Sequence, residues 1–395
     1  MDIIAHRNET AVVVRERWGG LLRRIDATTA ERDRHQQAVS TDLLLEIGTS
    51  GLQAFALPSE LGGENVSDLT WGLVLEQIGY LCADNGVPMI INHSLDTARL
   101  IWESGRTDLI NRYARPIADG TCIAGIAYTE DADAFSFKTT LRRKGSDYVL
   151  DGYKSYAISG AIHNLMLTYA LDEAGDMIAL LVERDDPGVS VTPADAMGMY
   201  TAGCSSITYS NTPIPAWRIL AHSDGLAHSQ NFLNMQRLRI SCAPLGRAQA
   251  ILEHCTHHTL HSIRYGEPVS DLKNVQATLG RMYIGLEAAR ATLYYALGEV
   301  DAGRTDKVFD LAISVAKHFV TEQIRNVVND ASRILGGHGY YGITDIGRNM
   351  RDFTGVSVAT GTQDILETNI GAGVIARRNQ PFFTPEKQRS EWSQM

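Results

Sequence analysis

The sequence has no CxxC pair, no long apolar run, no low-complexity tract and no internal repeat. Each absence excludes something. Five cysteines (Cys82, Cys122, Cys204, Cys242 and Cys255) are scattered and odd in number, which speaks against a disulfide framework and for reduced thiols in a cytoplasmic protein. No stretch approaches the roughly 18 apolar residues of a membrane span. The opening MDIIAHRNETAVVVRERWGG lacks the apolar centre of a signal peptide, so secretion is not expected. Positive charge is short as well. There are 36 Lys and Arg against 46 Asp and Glu, a net charge of −10, which excludes a general nucleic-acid surface and disfavours an anionic membrane. The missing repeats exclude a solenoid. The remainder, 44% hydrophobic and 21% charged over 395 residues, suits a soluble protein of two or three packing units.

Three textures follow one another along the chain. Residues 1–121 read as helical: Ser40 or Thr41 can cap a segment with Leu43, Leu44, Leu45 and Ile47, closed by Gly48 and Gly51. Pro58 and Gly62–Gly63 mark a turn, and a helical run from Leu73 to Leu81 buries Leu75, Ile78 and Gly79. From 122 to 223 the segments IAGIAYTE, DYVLDGYKSYAISG, LMLTYAL, MIALLVE and SSITYS have strand composition, with a tight turn expected at Asp151–Gly152. From 224 to 378 helical periodicity returns. Val275, Leu279, Met282, Leu286, Ala289, Leu293 and Ala296 alternate steps of four and three, the stripe of a bundle helix from Asp271 to Val300. Helices from about 232 to 265 and 307 to 335 complete a C-terminal bundle. Residues 379–395 form a polar tail.

Arg333 to Asp364 is the most informative stretch. It holds a glycine turn (Gly336, Gly337, Gly339), the pair Arg351–Asp352 and the turn Gly361–Thr362–Gln363–Asp364. It resembles the C-terminal signature of the acyl-CoA dehydrogenase family, and the Leu44 to Gly63 spacing resembles that family's N-terminal domain. The resemblance spans about residues 40 to 375. It implies an α+β multidomain fold with an N-terminal helical domain, a central β-barrel-like domain and a C-terminal four-helix bundle. It also implies FAD as cofactor and an acyl thioester, held on CoA or an acyl carrier protein, as substrate. A homodimer or homotetramer is expected with it, and so is an electron-transfer or flavin reductase partner.

By the same resemblance Ile126, Tyr128 and Thr129, then Tyr156, Ile158 and Ser159, border the flavin. Arg264 and Arg333 stand near positions that in the family contact the FAD of a neighbouring subunit, with Gly336, Gly337, Thr362 and Asp364 as further cofactor residues. Asn234, Gln236, Arg237 and Gly361 match substrate-binding positions. Two departures stand out. The family loop that reaches pantetheine and pyrophosphate is shortened to TEDADAFSFK, where Asp131 and Asp133 repel phosphate. The family's catalytic Glu is Thr360, and the alternative base position on the bundle helix is Gln236; neither side chain is a base near neutral pH. His338, Asp364 and Glu367 are poor substitutes. Three readings follow: a flavin oxidoreductase in a biosynthetic pathway whose chemistry does not use that Glu, a flavin-dependent monooxygenase, or a non-catalytic subunit.

Overall fold

The computed structural model describes residues 2–131, 137–221, 225–264, 266–305, 309–342 and 344–376. The expected tail, Asp133 and the rest of the shortened loop after Asp131 lie outside them. The chain opens with helices α1 (Ile3–Arg34), α2 (Thr41–Thr49), α3 (Asp68–Leu81) and α4 (Gly86–Glu103), then the short α5 (Thr107–Leu109) and α6 (Arg115–Ala118). Ser40 does cap α2, its hydroxyl accepting from the Leu43 N–H at 3.4 Å. The helical run at Leu73 begins five residues earlier, where Ser67 caps α3 through the Thr70 N–H.

Strands β1 (Ala124–Ala127), β2 (Thr140–Lys144), β3 (Asp147–Ala157), β4 (Leu165–Leu171), β5 (Met177–Glu183), β6 (Val189–Pro193), β7 (Ser205–Ile214) and β8 (Ile219–Ala221) form one sheet. Its order is β6-β7-β3-β2-β4-β5-β8, and β1 pairs in parallel with β4. The expected turn at Asp151–Gly152 is not there. β3 runs through it, and Gly152 marks a register shift against β7 instead; the reversal between β2 and β3 falls at Gly145–Ser146. An Asp-Gly pair signals a hairpin only when both flanking strands end at it.

The bundle follows: α7 (Gly225–His261), the two-residue strands β9 (Ile263–Arg264) and β10 (Glu267–Pro268), α8 (Lys273–Asp301), α9 (Leu311–Leu335), α10 (Gly337–Tyr340), α11 (Ile346–Val358) and α12 (Gln363–Ala376). The α8 stripe is buried as its spacing requires, with Leu279 half-buried at the margin. One apolar core joins α1, α3, α4, β1 and β4 to α7, α8 and α9; a second fills the sheet around Leu141, Leu180 and Ile207. The helix α7 is the common axis. At about 1.5 Å per residue its 37 residues extend roughly 55 Å.

Candidate active site

The turn after α11 is held by two buried cations. Arg237 of α7 donates from Nε to the Thr360 carbonyl at 3.1 Å and from Nη1 to Asn234 Oδ1 at 2.8 Å. Burial takes its guanidinium down to about 10. From the other side Lys317 of α9, fully buried, donates to the carbonyls of Ser357 at 2.6 Å and Gly361 at 2.7 Å. Thr360 has φ +55° and Gly361 φ +110°. A β-branched residue in the left-handed region is strained, so these grips impose a conformation the chain would otherwise avoid. The Thr360 hydroxyl is occupied, donating to the Ala359 carbonyl at 2.8 Å. The N–H groups of Thr360 and Gly361 make no hydrogen bond to another described residue. Successive amides in such a turn can receive a carbonyl oxygen that is gaining negative charge. The turn thus provides donors and no proton acceptor.

A carboxylate stands one helix position away. Gln236, adjacent to Arg237 and fully buried, donates from Nε2 to Asp96 Oδ2. Asp96, on α4, also pairs with Arg239, which donates to Asp68 Oδ1 at 2.6 Å. The amide orientation is therefore fixed, and Gln236 Oε1 is left without a partner among the described residues. One turn earlier on α4, His93 is held neutral by burial, which takes its imidazole down to about 4; its ring meets Phe232 edge-on at 6.1 Å. Sequence reasoning missed Asp96. Asn92, His93, Ser94, Thr97 and Arg99 surround it in the sequence, so nothing local marked it as a buried carboxylate.

The expected flavin contacts converge at the end of β1 and β3. The Ser155 N–H donates to the Thr129 carbonyl at 2.9 Å, placing Thr129 beside Tyr156. Lys154, pushed down to about 8 by burial, donates to the Tyr128 carbonyl at 3.1 Å and to Glu130 Oε1 at 2.8 Å. Asp131 accepts from Ser155 Oγ at 2.5 Å. Ile126 faces the core, so only its backbone is available. Tyr156 is 65% exposed and Thr129 is exposed too, a large aromatic face with no cover from the described residues. Ser159, at φ +64°, is buried and donates from N–H to the Ala202 carbonyl. Ile158 lies against the small apolar cluster of Met89, Ile240 and Val356, against which Ala359, next to Thr360, also packs. Tyr156 and Thr129 together offer an exposed surface that could carry a planar ring.

The remaining expected residues are not brought to this place. Tyr128 meets the start of α7 at Ser229, whereas Arg264 lies exposed past its far end. Between Ser229 and His261 the helix covers about 48 Å. The Arg333 side chain is 75% exposed beside Asp330, on a groove of ≈ 640 Å³ between α8 and α9 that no residue of the Thr360 turn lines. Gly336 and Gly337 carry His338, whose ring sits 5.2 Å from His258. His258 is 22 residues beyond Gln236 on the same helix, about 33 Å away, so His338 cannot serve at this turn. Thr362 Oγ1 accepts from the Ile365 N–H and starts α12; Asp364 is exposed in its first turn, and Glu367 pairs with His318 at 2.8 Å.

Comparison with known proteins gives the same three-part division. Residues 14–121, 125–212 and 223–375 match the N-terminal, middle and C-terminal domains described for acyl-CoA dehydrogenases. The cyclohex-1-ene-1-carbonyl-CoA dehydrogenase of Geobacter metallireducens is 30% identical over 335 residues, covering 82% of this chain and 87% of its own. Among solved structures, the prolyl acyl carrier protein oxidase AnaB superposes with a TM-score of 0.86 at 24% identity, covering 95% of this chain and 99% of its own. The FAD complex of PigA superposes with a TM-score of 0.87 at 21% identity, covering 94% and 98%.

Proposed function

Because the chain belongs to the acyl-CoA dehydrogenase family, an FAD-dependent oxidoreductase family, we propose that it oxidises an α,β-unsaturated, α-branched acyl thioester. In this reading Asp96 accepts the proton. The observation that carries it is the arrangement around Arg237: a turn at Thr360 with amide donors and no carboxylate, and a buried carboxylate displaced to Gln236. The printed substrate of the Geobacter relative makes chemical sense of that displacement. In a cyclohex-1-ene-1-carbonyl thioester the α-carbon is part of a double bond and carries no proton, so a base aimed at it has nothing to remove. Conjugation carries the acidity to the γ-carbon. Loss of a γ-proton to Asp96 leaves a dienolate whose charge rests on the thioester oxygen, where the Thr360 and Gly361 amides can receive it. A hydride then leaves the saturated β-carbon, and the product is a conjugated diene. FAD, when bound, supplies the two-electron acceptor.

Tyr128, Thr129, Tyr156 and Ile158 would hold the ring in one chain. Arg264, Arg333, Gly336 and Gly337, separated from them by most of the length of α7, would act on the cofactor of a second copy. This supports a homodimer or homotetramer. Exposed Tyr283 and Ile284 on α8 agree with it. The carrier is CoA or a carrier protein, both presenting the same thioester, and an electron-transfer partner reoxidises the enzyme.

Anaerobic mixing tests the reading. Cyclohex-1-ene-1-carbonyl thioesters, on CoA and on a carrier protein, are expected to bleach the flavin, and saturated butyryl-CoA is not. Asp96→Asn is expected to lower bleaching at least about 100-fold while the thioester still perturbs the flavin spectrum. Thr360→Glu is expected to gain activity on butyryl-CoA. Full activity in Asp96→Asn, or oxygen consumption driven by a flavin reductase without bleaching by any thioester, would overturn it.

A further inference from the structure

Lys317 has no part in the chemistry above, yet its burial is costly. A fully buried ammonium is expected beside a carboxylate; this one has its hydrogen bonds on two neutral carbonyls, Ser357 and Gly361, at 2.6 and 2.7 Å. Ser357 lies in the last turn of α11, where helix carbonyls have no intrahelical donor and a cation is favoured. Gly361 lies beyond the strained Thr360. Lys317 therefore ties the end of α11 to the far side of the turn. Arg237 pulls on the intervening Thr360 carbonyl from α7. Two cations on consecutive carbonyls do two things. They fix the positive φ of Thr360 and Gly361, and Arg237 also draws electron density from the peptide group joining Thr360 to Gly361, so that the Gly361 N–H becomes a better donor.

We propose that Lys317 is a positioning residue. It holds the Thr360–Gly361 amides in place so that they stabilise the enolate oxygen of the bound thioester. This rests on the reading of the turn as the thioester site. The charged groups acting on Lys317 are Arg237 of α7, which opposes its charge, and Glu322 of its own helix, which favours it; α11 and the turn present carbonyl oxygens. Burial and then Arg237 take the ammonium down to about 7. As pH rises through that value the charge is lost and the hold on the turn weakens, so the rate of the proton-transfer step falls on the alkaline side.

The test uses the full-length, FAD-loaded protein and its Lys317→Met and Lys317→Arg variants. The first readout needs no turnover: the carbonyl stretch of a bound, non-oxidisable acyl thioester, measured by isotope-edited infrared difference. It is expected to lie at lower frequency in the parent and in Lys317→Arg than in Lys317→Met. The second is flavin bleaching. Lys317→Met is expected to lose about 100-fold in rate with thioester affinity changed less than about threefold, and Lys317→Arg to recover most of the rate and lose the alkaline decline. An unchanged carbonyl stretch in Lys317→Met, or variants that lose affinity and rate together with no rescue by Arg, overturns the inference. A parent protein that binds no thioester overturns the function reading and this inference with it. A parent that binds normally, with variants indistinguishable from it, overturns the inference alone.

Discussion

Asp352 is where the three parts of the chain meet. Its carboxylate accepts from the Met199 N–H of the sheet region at 2.7 Å and from Asn85 Nδ2, at the head of α4, at 3.0 Å. Burial pushes its pKa up to about 6; Asn85 and Met199 favour the charged form, and Asp84 opposes it. Between about pH 4 and 6 the folded chain keeps a proton the unfolded chain has released, so stability falls as pH rises across that window. The shift corresponds to on the order of 3 kcal/mol. Urea unfolding of wild type and Asp352→Asn at pH 4 and 7 checks this: the variant's relative stability is expected to improve at the higher pH. An identical difference at both values would exclude it. At this scale the sequence was half legible. It marked Asp352 as one of a pair and Thr360 as a missing base, but its partners and Asp96 are set by tertiary pairing alone. Asp96 and Gln236 stand 140 positions apart, and no local spacing connects them.

At the scale of elements, the α3–α7 crossing is the closest approach. A Cβ on Gly79 would stand 1.8 Å from the Ala243 carbonyl, and one on Gly246 1.8 Å from that of Glu76. Gly79→Ala is expected to destabilise by about 1–3 kcal/mol or more, read as a lower melting temperature, with flavin bleaching per folded protein little changed. A melting temperature equal to wild type would mean that the helices separate freely. The burial of Gly79 was readable from its place on the apolar side of α3, and the α8 stripe from its period. The Asp151–Gly152 turn was misread because a bulge and a hairpin use the same residues. The short strands β2, β6 and β8 carried too little alternation to be seen against the loops beside them.

For the whole molecule, the three-part order was legible because each part has its own texture. A cofactor site shared between copies was implied only by the family resemblance; no spacing in the sequence shows that Arg264 lies past the far end of α7 from Tyr128 and Thr129. Light scattering is expected to give twice or four times the chain mass, and Arg333→Ala to weaken FAD retention without altering the Thr360 turn; a monomer that retains FAD fully would contradict both. The helix α7 has a last consequence. Its apolar side completes the core begun by α1, α3 and α4, but it is made only after the sheet. A growing chain therefore leaves the ribosome with its first helices and the eight strands of its large sheet finished and one wall of their shared interior unmade. Until α7 emerges those apolar faces have no native cover, so the interval of synthesis between residue 103 and residue 261 is when this protein most needs shelter from its neighbours.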